Sequence, residues 1–316
     1  MQTEEIADLL RPSTPDLSAR IHFIDKSWQD SELKVSGRFY YVPLRDSSPT
    51  VDELIQVAHN RMVNFALPSS RIADARKKWE ADPSVMDPIV ELTTEARDLF
   101  IRTAEETGRS GELGEILLYM LLEWVFSAPI VACKMYLKTA QQMPVHGTDG
   151  IHMGYEDGDL VMYWGESKMH KQLSSALTDI AASISEHIKD SKKRANEVRI
   201  VRANLDLVGF DAEARGALKD YFDPYKPQSN KLRDCFACFA GFSAPLYAQV
   251  AKLDAQDADL ELRRRYEARV EAALPQIIRK LKDAGLESFR FKYFLMPFPC
   301  VDDARERFQK KLWGTL

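Results

Sequence analysis

The chain has 316 residues, of which 45% are hydrophobic and 29% charged, with 14 Gly and 15 Pro. That profile excludes a disordered, fibrous or low-complexity chain and leaves room for one large or two modest domains. A formal charge of −5 excludes a polycation that coats nucleic acid by bulk electrostatics, so any nucleic-acid site has to be a local basic track.

The first residues, MQTEEIADLLRPSTPDLSAR, are acidic where a signal peptide would be basic and lack a long apolar core, so a cytoplasmic location is expected. The β-rich runs 19–24 and 31–43 read as a strand pair, and helical periodicity follows from Val51 to Ala66. The segment 80–88, EADPSVMDP, interrupts the pattern with two prolines. It marks an expected boundary between a small N-terminal α/β layer, 1–88, and the remainder, 89–316. Helices are expected over Ile89–Glu106 and from about Gly111 to Phe126, the second closed by Pro129. The apolar stretch Leu113 to Cys133 contains Glu115, Glu123 and Pro129, and each central carboxylate would cost about 2.5–3.5 kcal/mol to insert in a bilayer. A buried helix is expected there, and no membrane contact.

KMYLK (134–138) is strand-like, and two alternating runs follow, Asp149 to Tyr155 and Leu160 to Lys168. Next comes an amphipathic helix bearing Leu173, Leu177, Ile180, Ile184 and Ile188, and then the basic run Lys192-Lys193-Arg194. Asp234–Phe242 and Phe289–Phe298 read as strands, Leu260–Ala284 and Asp302–Leu312 as helices. Strands alternating with helices predict a mixed α/β fold. The four cysteines are too few for a disulfide scaffold, and Cys235-Phe-Ala-Cys238 lacks the second pair or the histidines of a zinc site, so core packing is expected.

The residues that point to chemistry lie in the hairpin 147–170, GTDGIHMGYEDGDLVMYWGESKMH. Asp157-Gly158 suits a two-residue type I′ turn, whose central positions both need positive φ, and that turn pairs Glu156 with Asp159. Paired residue numbers then sum to 315, which sets Asp149 directly across from Glu166, with Lys168 two residues further along the same face. Opposed carboxylates repel unless something positive lies between them. Hard oxygen donors of this kind suit Mg²⁺ or Mn²⁺ and predict a phosphodiester substrate. On the preceding helix Glu112, Glu115 and Glu123 share an arc with Tyr119, and a carboxylate stripe on a buried helix needs a metal, the hairpin lysine or ordinary ion pairs. Glu123, two turns away, reads as a structural ion-pair partner. His146 and His152 flank Asp149 without any zinc spacing and read as structural or substrate-orienting.

A helix glutamate, an Asp opening one strand and Glu-x-Lys on its antiparallel neighbour, followed by an amphipathic helix, resembles the PD-(D/E)xK nuclease superfamily, also called restriction-endonuclease-like. The runs GELGEILLYMLLEW, HGTDGIHMGY and YWGESKMH resemble the HamA family, nuclease subunits of the Hachiman anti-phage defence system, over residues 108–190. Thr148 stands where the superfamily's name has proline. The resemblance implies a mixed sheet flanked by helices and a nuclease domain over 89–316 with C-terminal elaborations, leaving 1–88 as a candidate partner-binding region. It implies Asp149 and Glu166 as metal ligands, Lys168 as the group that positions or activates water, and Glu115 or Glu112 completing the shell. Lys171, Lys192, Lys193 and Arg194 are the candidate DNA contacts. It also implies a HamB-like superfamily 2 helicase that restrains the nuclease until DNA damage is sensed. No GxxxxGK[ST] phosphate loop occurs in the chain, so ATP-driven sensing would have to come from another polypeptide. A catalytically silent module regulating a helicase, or an RNA-cleaving nuclease, are the alternatives.

Overall fold

A computed structural model describes residues 15–30, 32–107, 111–133, 135–136, 149–190, 199 and 212–315. Its frame is one mixed sheet. From edge to edge it runs β1 (His22–Phe23), β3 (Val35–Tyr41), β10 (Phe291–Phe298), β9 (Leu232–Ser243), β8 (Asp159–His170), β7 (Gly150–Glu156) and β6 (Ile130–Ala132), with β2 (Trp28–Asp30) also paired to β3. The four inner strands β3, β10, β9 and β8 are parallel, while β7 and β6 add antiparallel at one edge and β1 and β2 at the other. A two-stranded ribbon, β4 (Leu44–Arg45) with β5 (Ser48–Pro49), leads out of β3.

Helices cover both faces, as a parallel sheet with near-continuous apolar strands requires. One face carries α4 (Glu112–Phe126), which is apolar nearly all round and therefore buried between the sheet and α1 (Val51–Ala66). α3 (Asp87–Thr107) and α9 (Val301–Trp313) pack beside α1, with Phe100 and Phe308 ring to ring at 6.2 Å. The other face carries α5 (Leu173–Lys189) and α8 (Ala255–Asp283), whose buried stripe includes Leu262, Tyr266, Val270, Ala273 and Ile277. Smaller elements are α2 (Ser69–Ala81), α6 (Ala212–Tyr221) and α7 (Leu246–Val250). No helix among the described residues is long and apolar enough to cross a membrane.

The expected mixed α/β fold, with a mixed sheet flanked by helices, is the one observed. The N-terminal strand pair forms with His22 opposite Tyr41, and β3 continues the same sheet by pairing in parallel with β10. Residue 88 falls in the first turn of α3. Of the run 134–138, expected as a strand, only Met135 and Tyr136 are described, and both are helical. The strand before the hairpin is β6 instead. Ser127 ends α4 in the left-handed region at φ 48°, and Pro129 already offers its carbonyl to Met153 N–H at 3.1 Å, so the chain enters the sheet at once. The helix α2 lacked a periodic signal because Ala75 is its one buried residue.

Candidate active site

The hairpin turn has the predicted chemistry, with Asp157 at φ 49° and Gly158 at φ 88°. Its register holds from Glu156 opposite Asp159 to Gly150 opposite Gly165, every pair summing to 315. Asp149 then departs from it. Its N–H donates to Gly165 O at 2.7 Å, one residue out of step, and the ladder ends before 149 can face 166. Two glycines meet at that point, and strand glycines mark places where a ladder bulges or backbones come close. A side chain on Gly165 would sit 3.2 Å from both Gly150 O and Leu118 Cδ2 of α4. The direct cross-strand opposition of Asp149 and Glu166 expected from the register is thus replaced by a slipped approach at the end of β7.

The slip re-aims the Asp149 carboxylate. Its Oδ2 accepts from Ser167 N–H at 2.7 Å and from the Ser167 hydroxyl at 2.8 Å. Ser167 is the middle residue of Glu-x-Lys, and alternation alone points it to the face opposite Glu166. Glu166 is 2% exposed and lies between β8 and α5, where its carboxylate accepts from Lys168 Nζ at 2.5 Å and from the Ser183 hydroxyl. Burial pushes this carboxyl above the usual carboxylate range, the neighbouring Asp149 charge adds to the push, and Lys168 and Ser183 pull against it. Burial works against the Lys168 charge, yet Glu166, Asp149 and Glu115 outweigh it and hold the ammonium above its ordinary pKa.

Both helix candidates sit in the first turn of α4, where carboxylates are favoured by the N–H end of the helix. Glu112 is buried, and Glu115 is half-buried and contributes to the field at Lys168. Glu123 is the structural partner expected: Arg61 of α1 donates to its Oε2 at 2.8 Å and to the Tyr119 hydroxyl at 2.8 Å. His152 is fully buried, its Nδ1 donates to Ala128 O at 2.8 Å, and burial lowers its pKa to about 4. It serves the β7–α4 junction. Cys235 and Cys238 are buried free thiols, with Cys238 paired across β9 to Glu166. Lys171 is exposed and ion-paired with Asp302 at 3.1 Å. Lys192, Lys193, Arg194, His146 and Thr148 lie outside the described residues.

The site therefore brings together Asp149, Glu166, Lys168 and the field of Glu115. Ser167 and Ser183 were not anticipated. Ser183 had a faint signal, a hydroxyl three residues after Ile180 on the apolar stripe of α5, whereas Ser167 had none. Among the described residues no three His, Cys, Asp or Glu side chains form a ready cation cage. Two hard carboxylates, one buried beside the like charge of the other, still fit a cation that keeps several waters and takes one or two protein carboxylates, as Mg²⁺ does.

A family model described as HamA matches residues 18–312. No curated protein matches the chain.

Proposed function

The chain belongs to the HamA family, a component of the Hachiman defence system, and from that premise we propose that it is a metal-dependent nuclease that cleaves DNA phosphodiesters. The observation that carries this reading is the Lys168 ammonium held at the buried Glu166 carboxylate within the field of Asp149 and Glu115. A cation there would be held by Asp149 and Glu166, with Glu115 or Glu112 next to it. When bound, Mg²⁺ or Mn²⁺ would polarise the phosphoryl oxygen and lower the pKa of a water. Lys168 stands ready to place its charge on the extra negative charge that develops as the phosphorus is attacked. Ser167 keeps the Asp149 carboxylate aimed, and Ser183 does the same for Glu166.

Release of such an enzyme has to be controlled, and a HamB-like helicase supplying the ATP-driven step is the partner we assign to it. Lys171 and the run Lys192-Lys193-Arg194 follow the site along the chain and are its proposed DNA contacts. The competing reading is a catalytically silent module, favoured by the absence of a three-residue cation cage among the described residues. Incubation of the purified chain with plasmid, linear and single-stranded DNA and with RNA, in Mg²⁺ and in excess EDTA, separates the two. DNA cleavage confined to the Mg²⁺ samples is expected. Intact DNA in every sample supports the silent module, and cleavage of RNA alone changes the substrate.

A further inference from the structure

Beside the catalytic residues, on the same face of the sheet, lies a cavity of about 310 Å³ between α5 and α8. The registers place it: Lys168 pairs with Ala240, which pairs with Leu295, and His170 pairs with Phe242. Strands are about 4.8 Å apart, so Leu295 stands about 10 Å sideways from Lys168. The floor is apolar, made by Phe242, Leu295, Tyr266, Val270 and Ala273. Tyr266 offers no free hydroxyl there, since it donates to Leu295 O at 2.8 Å.

The mouth differs in kind. Lys171 and Arg269 stand on it with the amides of Gln172 and Gln276. Arg269 is exposed and has no hydrogen bond or ion pair among the described residues, while the Lys171 pair with Asp302 lies in solvent and is weak. α5 also starts here, at Leu173, with no side chain capping its first N–H groups. An apolar slot behind two cations and two amides matches a base behind its phosphate. Its volume is at the lower end of small-ligand pockets, about 300–1,000 Å³, which suits one nucleotide and no more.

We infer that this cavity takes one nucleotide of the bound strand, base on the apolar floor and phosphate against Arg269 and Lys171, and thereby sets the strand beside Lys168. The inference rests on the nuclease reading for the presence of a strand. Its test is binding of the full chain, in EDTA so that nothing is cut, to a fluorescent single-stranded oligonucleotide and to an abasic oligonucleotide with the same phosphates. Arg269→Ala changes an exposed residue and should weaken both about tenfold, with the slope of log affinity against log salt shallower by about 0.7. Ala273→Phe fills the floor and should weaken the base-bearing strand several-fold while leaving the abasic one unchanged, with the thermal midpoint recorded to confirm folding. Equal affinity of the wild type for the two oligonucleotides, or unchanged affinity in Arg269→Ala, overturns the assignment. Binding of free dAMP blocked by Ala273→Phe, with oligonucleotide binding untouched, also overturns it and makes the ligand a free nucleotide. Cleavage in Mg²⁺ is read separately, so discriminating binding without cleavage defeats the nuclease and not the pocket.

Discussion

Glu166 and Lys168 illustrate how a buried charge is held by a partner that reaches solvent. The carboxylate lies under α5 at 2% exposure and its cation at 31%, so the pair is open to water from one side only. Removing Lys168 strands a buried carboxylate, whereas Glu166→Gln leaves an ammonium that water can reach. Both Lys168→Ala and Glu166→Gln are expected to lower DNA cleavage by at least about 100-fold. Urea unfolding should show Glu166→Gln as the milder change, and wild-type rates in either variant would remove these residues from the chemistry. His152 makes a stability prediction. Its pKa is about 4 in the folded chain, and an unfolded histidine titrates near 6.5. Above pH 6.5 both states are neutral and the contribution is complete. Between pH 6.5 and 4 the unfolded chain binds a proton that the folded chain refuses, so stability falls as the pH is lowered. At pH 5 the loss is about 2 kcal/mol. His152→Gln should lose that share of the pH dependence, measured as the difference in urea unfolding free energy between pH 7.5 and pH 5.

Between elements, the clearest polar link is α1 to α4 through Arg61, Glu123 and Tyr119, with the two charged side chains 14% and 6% exposed. A buried pair adds little over apolar packing but is costly to break on one side. Arg61→Met alone is expected to cost about 3–5 kcal/mol. The double variant Arg61→Met with Glu123→Leu should recover most of that loss. Equal destabilisation of the single and double variants would show that the link orders the two helices in some way that apolar packing cannot replace. This matters for the site because α4 carries Glu112 and Glu115 at its first turn. A helix allowed to slide along the sheet would move both.

For the molecule as a whole, the proposed cation and the proposed partner would govern when the site works. Excess EDTA should abolish cleavage. Ca²⁺, with its longer bonds and looser geometry, should support DNA binding while giving slower turnover than Mg²⁺. A nuclease that cuts broadly would damage its own host's chromosome, and no nucleotide-binding phosphate loop occurs in this chain to restrain it. Co-expression with the helicase is expected to give a stable complex with little cleavage until DNA ends or ATP turnover release it. The helicase should dock outside the 147–170 hairpin, through the N-terminal elements or the C-terminal helices. Failure to co-purify, or equal cleavage with and without the helicase, would overturn the control scheme.

The local features were legible in the sequence. Asp157-Gly158 and the alternation around it determined the hairpin register through Gly150 and Gly165, and apolar periodicity determined α1 at Val51–Ala66 to the residue. The glutamate candidates of α4 were singled out because charge on an otherwise apolar helix stands out, and Glu166 and Lys168 because the expected register set them on one face with Asp149. Turn chemistry and periodicity act between residues a few positions apart, so they are written in the chain order. Tertiary structure alone decided that β3 lies next to β10, since parallel partners are far apart in sequence and leave no local mark. It alone decided the slip of Asp149: the hairpin register already sets Gly150 opposite Gly165, but the room for a bulge beside them depends on the packing of α4, whose Leu118 Cδ2 lies where a Gly165 side chain would stand. Ser167 and Ser183 became partners of the carboxylates only through that slip and through the docking of α5 on β8. A hydroxyl gains meaning from the charge it meets, and the fold chooses the meeting.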